Sequence, residues 1–586
     1  MSTEEYGSDL IVKLIAELGI PFVTLNPGAS FRGLHDSLVN YDYPGKPELV
    51  LCLHEEVAIA VAHGYARVTG KPLVAAVHNV VGLLHGSMAI FNAWCDRVPM
   101  MVVGGTGPMA TEARRNWIEW VHTAQVQGNL VRDFVKWDDQ PFSIPGLTDS
   151  LLRGYRTTMT EPCAPVYLCF DAGLQEQALT EVDPLPALTA FEPPRPPGAS
   201  AQAIEEAVNM LADAEWPVVL VEGLGRHRES LPVLQQLAER LQAPVVSVGT
   251  WFNLPSRHPL NFSDRRREVL ARADVVLMLD VHDPASVMQQ GRALDGGGLI
   301  PSDARRIHIS LWDLLQHSLV TDWGRLYPVE LPITADTQEA LPALLEAIER
   351  ALGQDAAAER RVQKRATALA GIRDAVPQAR TAAQHEGGNG LLNMDAISST
   401  LAELVQEAGV PWSFVSGHQI GGPWEHGGWD LTEPDNLAGG ARGAGVGQSP
   451  ASAVGASLAY RGTGRLCLNL IGDGDLLYTP TSLWTAANLK LPMLTIVNNN
   501  RAYGNDERHQ SVVAKHRGRP VENSGIGVSI EDPDVGFVDL ASSMGVEGIG
   551  PVKERNELQK ALSRALAIVT REDRPVLVEV ETRPRR

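Results

Sequence analysis

The sequence predicts an α/β protein: three consecutive α/β domains with mainly parallel sheets. Its 586 residues exceed what one hydrophobic core holds, and at roughly 100–200 residues per domain they leave room for about three. Short β-branched runs alternate with amphipathic helical stretches, the rhythm of a parallel sheet covered by helices. Two breaks divide that rhythm, a proline-rich one at 184–198 and a glycine-rich one at 387–390.

The first unit, residues 1–183, is expected to form the N-terminal domain. It carries β-runs at 73–77 and 100–104 and closes on the run APVYLC at 164–169. The passage PLPALTAFEPPRPPG at 184–198 can continue neither a helix nor a central strand, so it reads as a stiff extended linker. The central unit, 199–353, opens with a helix at 201–214 and continues with strands at 217–221, 244–248 and 274–279. Its Gly223-Leu224-Gly225 turn lacks the third glycine of a dinucleotide fingerprint and reads as an ordinary strand-to-helix turn. A polar, Ala- and Arg-rich helical stretch at 356–386 leads to the break GGNG, and the third unit, 391–586, ends in a strand at 575–581.

With 50 Lys and Arg against 70 Asp and Glu, the formal charge of −20 repels phosphate backbones and argues against a nucleic-acid partner. The basic cluster at Arg265, Arg266 and Arg267 is short and reads as a solvated helix face. No segment is apolar enough for long enough to span a bilayer, and the start, MSTEEYGSDL, is acidic where a secretory signal is basic. Five cysteines without a CxxC pair fit a reduced, cytoplasmic protein with no structural zinc.

Chemistry concentrates in the third unit. The apolar run LNLI at 468–471 is a buried strand, and Gly472-Asp473-Gly474-Asp475 follows at its carboxyl end, where ligands of open α/β sheets collect. Glycines there let backbone approach phosphate, and Asp473 offers a hard oxygen to Mg²⁺. A helix at 481–489 returns the chain to a second β-run, 492–497, which ends in Asn498-Asn499-Asn500. Asn500 stands 27 positions after Asp473, a crossover length that brings both to one edge of neighbouring parallel strands. Asp473, the amide oxygen of Asn500 and the carbonyl of Ala502 make an oxygen set suited to Mg²⁺ on a diphosphate.

This arrangement, GDG, a gap of two dozen residues and NN, resembles the thiamine-diphosphate family of acetolactate synthase, benzoylformate decarboxylase and pyruvate oxidase. The resemblance covers essentially the whole chain, whose three units correspond to that family's pyrimidine, central and diphosphate domains. It implies thiamine diphosphate and Mg²⁺ as cofactors, with Gly472, Asp473, Gly474, Asp475, Asn500, Ala502, Tyr503 and Gly504 around the diphosphate and metal. It implies a catalytic glutamate that hydrogen-bonds the cofactor's pyrimidine and helps form the ylide. Glu55, nine positions before Gly64 of the GYAR motif at 64–67, matches it, with Glu56 as runner-up. Val446 in the stretch GAGVG at 443–447 matches the residue that props the cofactor into its bent form, with the Ala444 carbonyl facing its amino group. Gly417 and His418 sit where relatives contact diphosphate or substrate.

The likeness is nearest to benzoylformate decarboxylase around Val77-His78-Asn79. His78, 23 residues after Glu55, matches that enzyme's active-site histidine. His85 replaces an asparagine and Ala29 a substrate-contacting serine, which points away from benzoylformate and toward a substrate with an extra polar or acidic group. The implied function is decarboxylation or carboligation of a 2-oxo acid or related small carbonyl compound through an enamine. The alternatives are an acyloin or diketone carbon–carbon lyase, a flavin-dependent oxidase, or a non-catalytic cofactor-binding subunit. The family pairs the first domain of one subunit with the third of its neighbour, so a homodimer or homotetramer is expected. The polar stretch 504–527 reads as a mobile cover over the site.

Overall fold

The computed structural model describes residues 5–116, 118–180, 184–288, 298–315, 317–318, 320–374, 392–416, 429–440 and 442–582. These form three parallel sheets in succession, so the expected α/β class is the one observed. The first sheet holds β1 (Phe22–Leu25), β2 (Glu48–Leu51), β3 (Val74–Ala76), β4 (Met100–Thr106), β5 (Trp137–Asp139) and β6 (Pro165–Asp171), ordered β2-β1-β3-β4-β6-β5. The second holds β7 (Pro217–Val221), β8 (Val245–Ser247), β9 (Val275–Leu279), β10 (Arg305–Ser310) and β11 (Leu331–Thr334), ordered β8-β7-β9-β10-β11. The third holds β12 (Trp412–Phe414), β13 (Leu466–Gly472), β14 (Met493–Asn499), β15 (Glu547–Val552) and β16 (Val576–Glu581), ordered β12-β13-β14-β16-β15. A small antiparallel pair, Glu5–Tyr6 with Ala178–Leu179, joins the ends of the first unit.

Helices cover both faces of these sheets, which explains why β4, β6 and β13 are buried along their whole length and read as mainly apolar runs rather than alternating ones. The passage 184–198 is extended apart from one 3₁₀ turn, Leu188–Phe191.

Three helices set the site: α1 (Glu55–Thr69), α2 (Asn79–Cys95) and α3 (Gln448–Ala459). The central sheet keeps its own core, but the core of the first unit continues into the third. Val57 and Val61 of α1 belong to the same apolar cluster as Ala451 and Val454 of α3.

Two glycines make this close crossing possible. A Cβ on Gly64 would stand 1.9 Å from the Ser452 carbonyl oxygen, and one on Gly455 would stand 1.9 Å from that of Val61. Gly64 therefore belongs to helix packing as well as to a family motif. In an open helix Gly→Ala stabilises by up to about 1 kcal/mol, whereas here the added methyl overpacks a backbone contact, a change of about 1–3 kcal/mol the other way. Gly64→Ala is expected to lower the thermal midpoint. Gly371→Ala, with nothing within 4 Å of its Cβ, is expected to leave it unchanged or raise it; calorimetry of the two variants checks the sign.

Candidate active site

Parallel pairing of β13 with β14 sets Gly472 opposite Asn498, so the two strand ends lie side by side. Asp473 opens the short helix α4 (Asp473–Tyr478), and Asn500 lies one residue beyond β14. The Asp473 carboxylate is buried. Its Oδ1 accepts the Gly474 N–H at 2.9 Å, while Oδ2 has no hydrogen-bond partner among the described residues. Burial pushes this acid up to about 6, against the opposing effect of N–H groups from Gly474, Ala502 and Arg501. Those N–H groups bring the 500–502 turn onto Asp473. The turn is braced by Ala502 N–H donating to Asn500 Oδ1 at 3.0 Å, and Gly504 N–H donates to the Ala502 carbonyl at 2.8 Å.

An orphaned carboxylate oxygen beside an amide oxygen and a backbone carbonyl fits a hard divalent cation, whose charge would offset the burial of Asp473. Two neighbours play parts that the sequence did not disclose. The Tyr503 ring lies against Gly474, where a Cβ would meet it at 2.6 Å. Asp475 spends Oδ1 on the Gly447 N–H at 2.6 Å, and Thr479 donates to the Gly447 carbonyl at 2.6 Å, so the GAGVG loop is tied to the GDGD turn.

In the first unit, His54 caps α1, its Nδ1 accepting the Glu56 N–H at 3.1 Å. Glu55 is buried, with one carboxylate oxygen 3.3 Å from Nδ1 of the exposed His85, whose ring stacks on His54 at 5.1 Å. Glu56 is half-buried, and burial together with the charge of Asp475 pushes it up to about 7. Adjacent acids thus have different surroundings: Glu55 meets imidazoles, and Glu56 faces the GDGD turn of the same chain.

His78 stands at the end of β3 with both ring nitrogens engaged, Nδ1 at 3.2 Å from Ser30 Oγ and Nε2 at 3.1 Å from Nδ1 of His122. Burial first, then His122, lowers its pKa, so the ring is neutral at pH 7. Sequence reasoning stopped at Ala29 and missed both partners. No motif marks Ser30 or His122, which lie 48 and 44 residues away in the chain.

Ala444 is exposed with φ 52°, and Val446 is half-buried at the tip of the loop before α3. A buried network backs this loop. Asp96 accepts the Arg442 N–H at 2.7 Å and lies 2.9 Å from His63 Nε2, while His63 Nδ1 is 2.6 Å from Gln448 Nε2. Asn92 Oδ1 accepts the Gly445 N–H at 3.3 Å. Burial opposes ionisation of Asp96, but the His63 hydrogen bond and the charges of His63 and Arg67 prevail and hold it down at about 2.

Because this folded value lies below the unfolded 3.8, the stabilisation is present above about pH 4 and lost as pH falls toward 2; it amounts to about 2 kcal/mol. Asp96→Asn is expected to lower the thermal midpoint at pH 7, with the gap to the parent protein narrowing as pH is lowered from 4 toward 2. A gap independent of pH would contradict the assignment.

At the central sheet the glycines of the Gly223-Leu224-Gly225 turn serve internal packing. A Cβ on Gly223 would meet Asp280 Oδ2 at 2.3 Å, and one on Gly225 would meet the Phe252 carbonyl oxygen at 1.9 Å. Asp280 and Glu161 are bound there by Arg97 and Arg226 at 2.6–2.8 Å. Carboxylates already matched by arginines do not fit a flavin's diphosphate at this turn.

Gly417 and His418 lie outside the described residues. The stretch after Gly504, expected as a mobile cover, begins as a helix, α5 (Gly504–His516), followed by the 3₁₀ turn Val521–Gly525. The helix has no buried residue and hence no apolar stripe to reveal it. Asp506 and Glu507 in its first turn and Lys515 and His516 in its last complement the helix dipole.

Parallel sheets whose strand ends converge on such a turn define the class of α/β enzymes that hold an anionic cofactor at a carboxyl edge. Residues 6–127 match the family model of the thiamine pyrophosphate enzyme N-terminal TPP binding domain, and residues 424–580 match that of the C-terminal TPP binding domain. The chain is 26% identical over 566 residues to benzoylformate decarboxylase of Pseudomonas aeruginosa, covering 92% of this chain and 93% of that protein. It is 24% identical over 558 residues to the acetolactate synthase isozyme 1 large subunit of Escherichia coli, covering 92% and 88%. The crystal structure of benzoylformate decarboxylase from Polynucleobacter necessarius shares the fold at a TM-score of 0.77 and 19% identity, covering 99% of this chain and 100% of that one. The chain belongs to the thiamine pyrophosphate enzymes, and its relatives include decarboxylases and synthases. No helix among the described residues is long and apolar enough to cross a membrane.

Proposed function

We propose that the protein is a thiamine-diphosphate- and Mg²⁺-dependent enzyme that decarboxylates or carboligates 2-oxo acids or related carbonyl compounds. The observation that carries this reading is the buried, unpartnered oxygen of Asp473 against the 500–502 turn. Asp473, Asn500 and the Ala502 carbonyl would hold the metal, with Gly472, Gly474, Asp475, Tyr503 and Gly504 around the diphosphate. When bound, the thiazolium supplies an electron sink for breaking or making a bond beside a carbonyl carbon.

The chain's own residues position that group and handle its protons. Val446 would contact the cofactor from the loop that Asp475 and Asn92 anchor. Buried Glu55 would hydrogen-bond the pyrimidine ring, and His85 at 3.3 Å places an imidazole within reach of the same carboxylate. The exposed His85 furnishes a polar contact suited to an oxygen-bearing substrate, and His78, whose ring nitrogens are taken by Ser30 and His122, is held in place beyond the end of β3. Exposed apolar side chains at Leu84, Ile118, Val121 and Val126 favour self-association through this side of the first unit.

A panel of 2-oxo acids and acyloins with thiamine diphosphate and Mg²⁺, following CO₂ and aldehyde separately, tests the reading. Cofactor-dependent CO₂ release supports it, and no turnover of any carbonyl compound contradicts it.

A further inference from the structure

Ser30, His78 and His122 form a hydrogen-bond chain with a definite direction. The Ser30 N–H points at His78 Nδ1 at 3.4 Å. Ser30 Oγ accepts the Asn79 N–H at 3.2 Å, which turns the hydroxyl hydrogen toward the same His78 nitrogen, also at 3.2 Å. A ring nitrogen facing two donors is unprotonated, so neutral His78 carries its hydrogen on Nε2. That hydrogen meets His122 Nδ1 at 3.1 Å, making Nδ1 the acceptor and leaving the His122 hydrogen on Nε2.

The two ends of the chain differ. Ser30 is fully buried, whereas His122 is half-buried and its Nε2 has no protein partner among the described residues. The backbone of His122 is also fixed: its carbonyl accepts the Val80 N–H at 3.1 Å, and Asn79 Nδ2 donates to the Glu119 carbonyl at 2.9 Å. His78 sits beside the proposed catalytic acid, since a Cβ on Gly82 would lie 2.9 Å from Glu55 Oε1 and 3.3 Å from His78 Cβ. With both nitrogens of His78 committed to protein, the uncommitted donor is on its half-buried neighbour.

We propose that His122 recognises substrate, its neutral Nε2–H donating to a hydroxyl or carboxylate oxygen carried by the substrate's side chain, with Ser30 and His78 as positioning residues that fix the tautomer. This rests on the reading of the site as a 2-oxo acid enzyme and names the class of acid it takes.

The holoenzyme is assayed with 2-oxopentanoate, 5-hydroxy-2-oxopentanoate and 2-oxoglutarate, which share chain length and differ at the far carbon. A site built to hydrogen-bond that oxygen is expected to give the oxygenated acids a kcat/KM advantage of about tenfold or more. His122→Leu is expected to abolish the advantage through KM, His122→Gln, which keeps an N–H donor, to restore part of it, and Ser30→Ala to reduce it in the same direction. An advantage undiminished in His122→Leu, or absent from the parent enzyme while the plain acid is turned over, overturns the proposal.

A second readout needs no turnover. In ¹⁵N-histidine spectra of the protein, assigned by loss of signals in His122→Gln, His122 is expected with its hydrogen on Nε2. The opposite tautomer overturns the proposal even if the enzyme is active. Failure of all turnover with the expected tautomer present counts against the reading of function and leaves the assigned donor standing.

Discussion

Glu55→Gln is expected to remove most activity while leaving cofactor binding within about threefold of the parent protein. The amide keeps the size and the start of α1, including the His54 cap that accepts the Glu56 N–H. What it loses is the acid that shares a proton with the pyrimidine, a role that commonly contributes about 10²–10⁴ in rate. Steady-state CO₂ release and quenching of tryptophan fluorescence on cofactor addition separate the two effects. Glu56→Gln is the paired control. Glu56 faces Asp475, and burial with that charge raises it to about 7, so its acid form is already well populated near neutral pH. If Glu56→Gln proved the inactive variant and Glu55→Gln the active one, the assignment of the acid would be reversed.

Asp473→Asn is expected to weaken binding of thiamine diphosphate in the presence of Mg²⁺ by about 100-fold or more, since it removes the charged ligand from a site with few others. The same change is expected to leave the cofactor-free protein as stable as the parent or more so. Asp473 is buried with an unpartnered oxygen and an acid pushed up to about 6, so a neutral amide relieves a desolvated carboxylate. Isothermal titration and thermal midpoints with and without cofactor give both numbers. A variant that binds cofactor normally would remove Asp473 from the metal site, and one that simply unfolds would contradict the relief of burial. Opposite signs for ligand-free stability and ligand binding are the mark of a residue held in strain for function.

The parts of this fold legible in the sequence are those written in contiguous residues. The runs that became β4, β6 and β13 were visible because strands buried on both faces are mainly apolar and do not alternate. The GDGD and NNN motifs were visible because a crossover between adjacent parallel strands has a characteristic length. What stayed hidden depends on contacts between distant segments. His63 and Gln448 are 385 residues apart, and nothing in either neighbourhood announces that they meet. Ser30 and His122 are not legible because no local pattern marks the two partners that the nitrogens of His78 take up from 48 and 44 residues away. The pairing of α1 with α3 through Gly64 and Gly455 was obscured because glycines in a helix read equally well as weak helix positions. The α5 helix was missed because a helix without a buried face carries no periodicity.

The central claim is that Glu55, placed at the start of α1, activates a bound thiamine cofactor. Hydrogen–deuterium exchange at C2 of thiamine diphosphate, quenched in acid and read by proton NMR, measures this without any choice of substrate. The parent protein with Mg²⁺ is expected to exchange that proton orders of magnitude faster than free cofactor, and Glu55→Gln with cofactor bound is expected to fall back toward the free rate. Equal exchange in the two proteins, or no acceleration by the parent at full occupancy, would contradict the account.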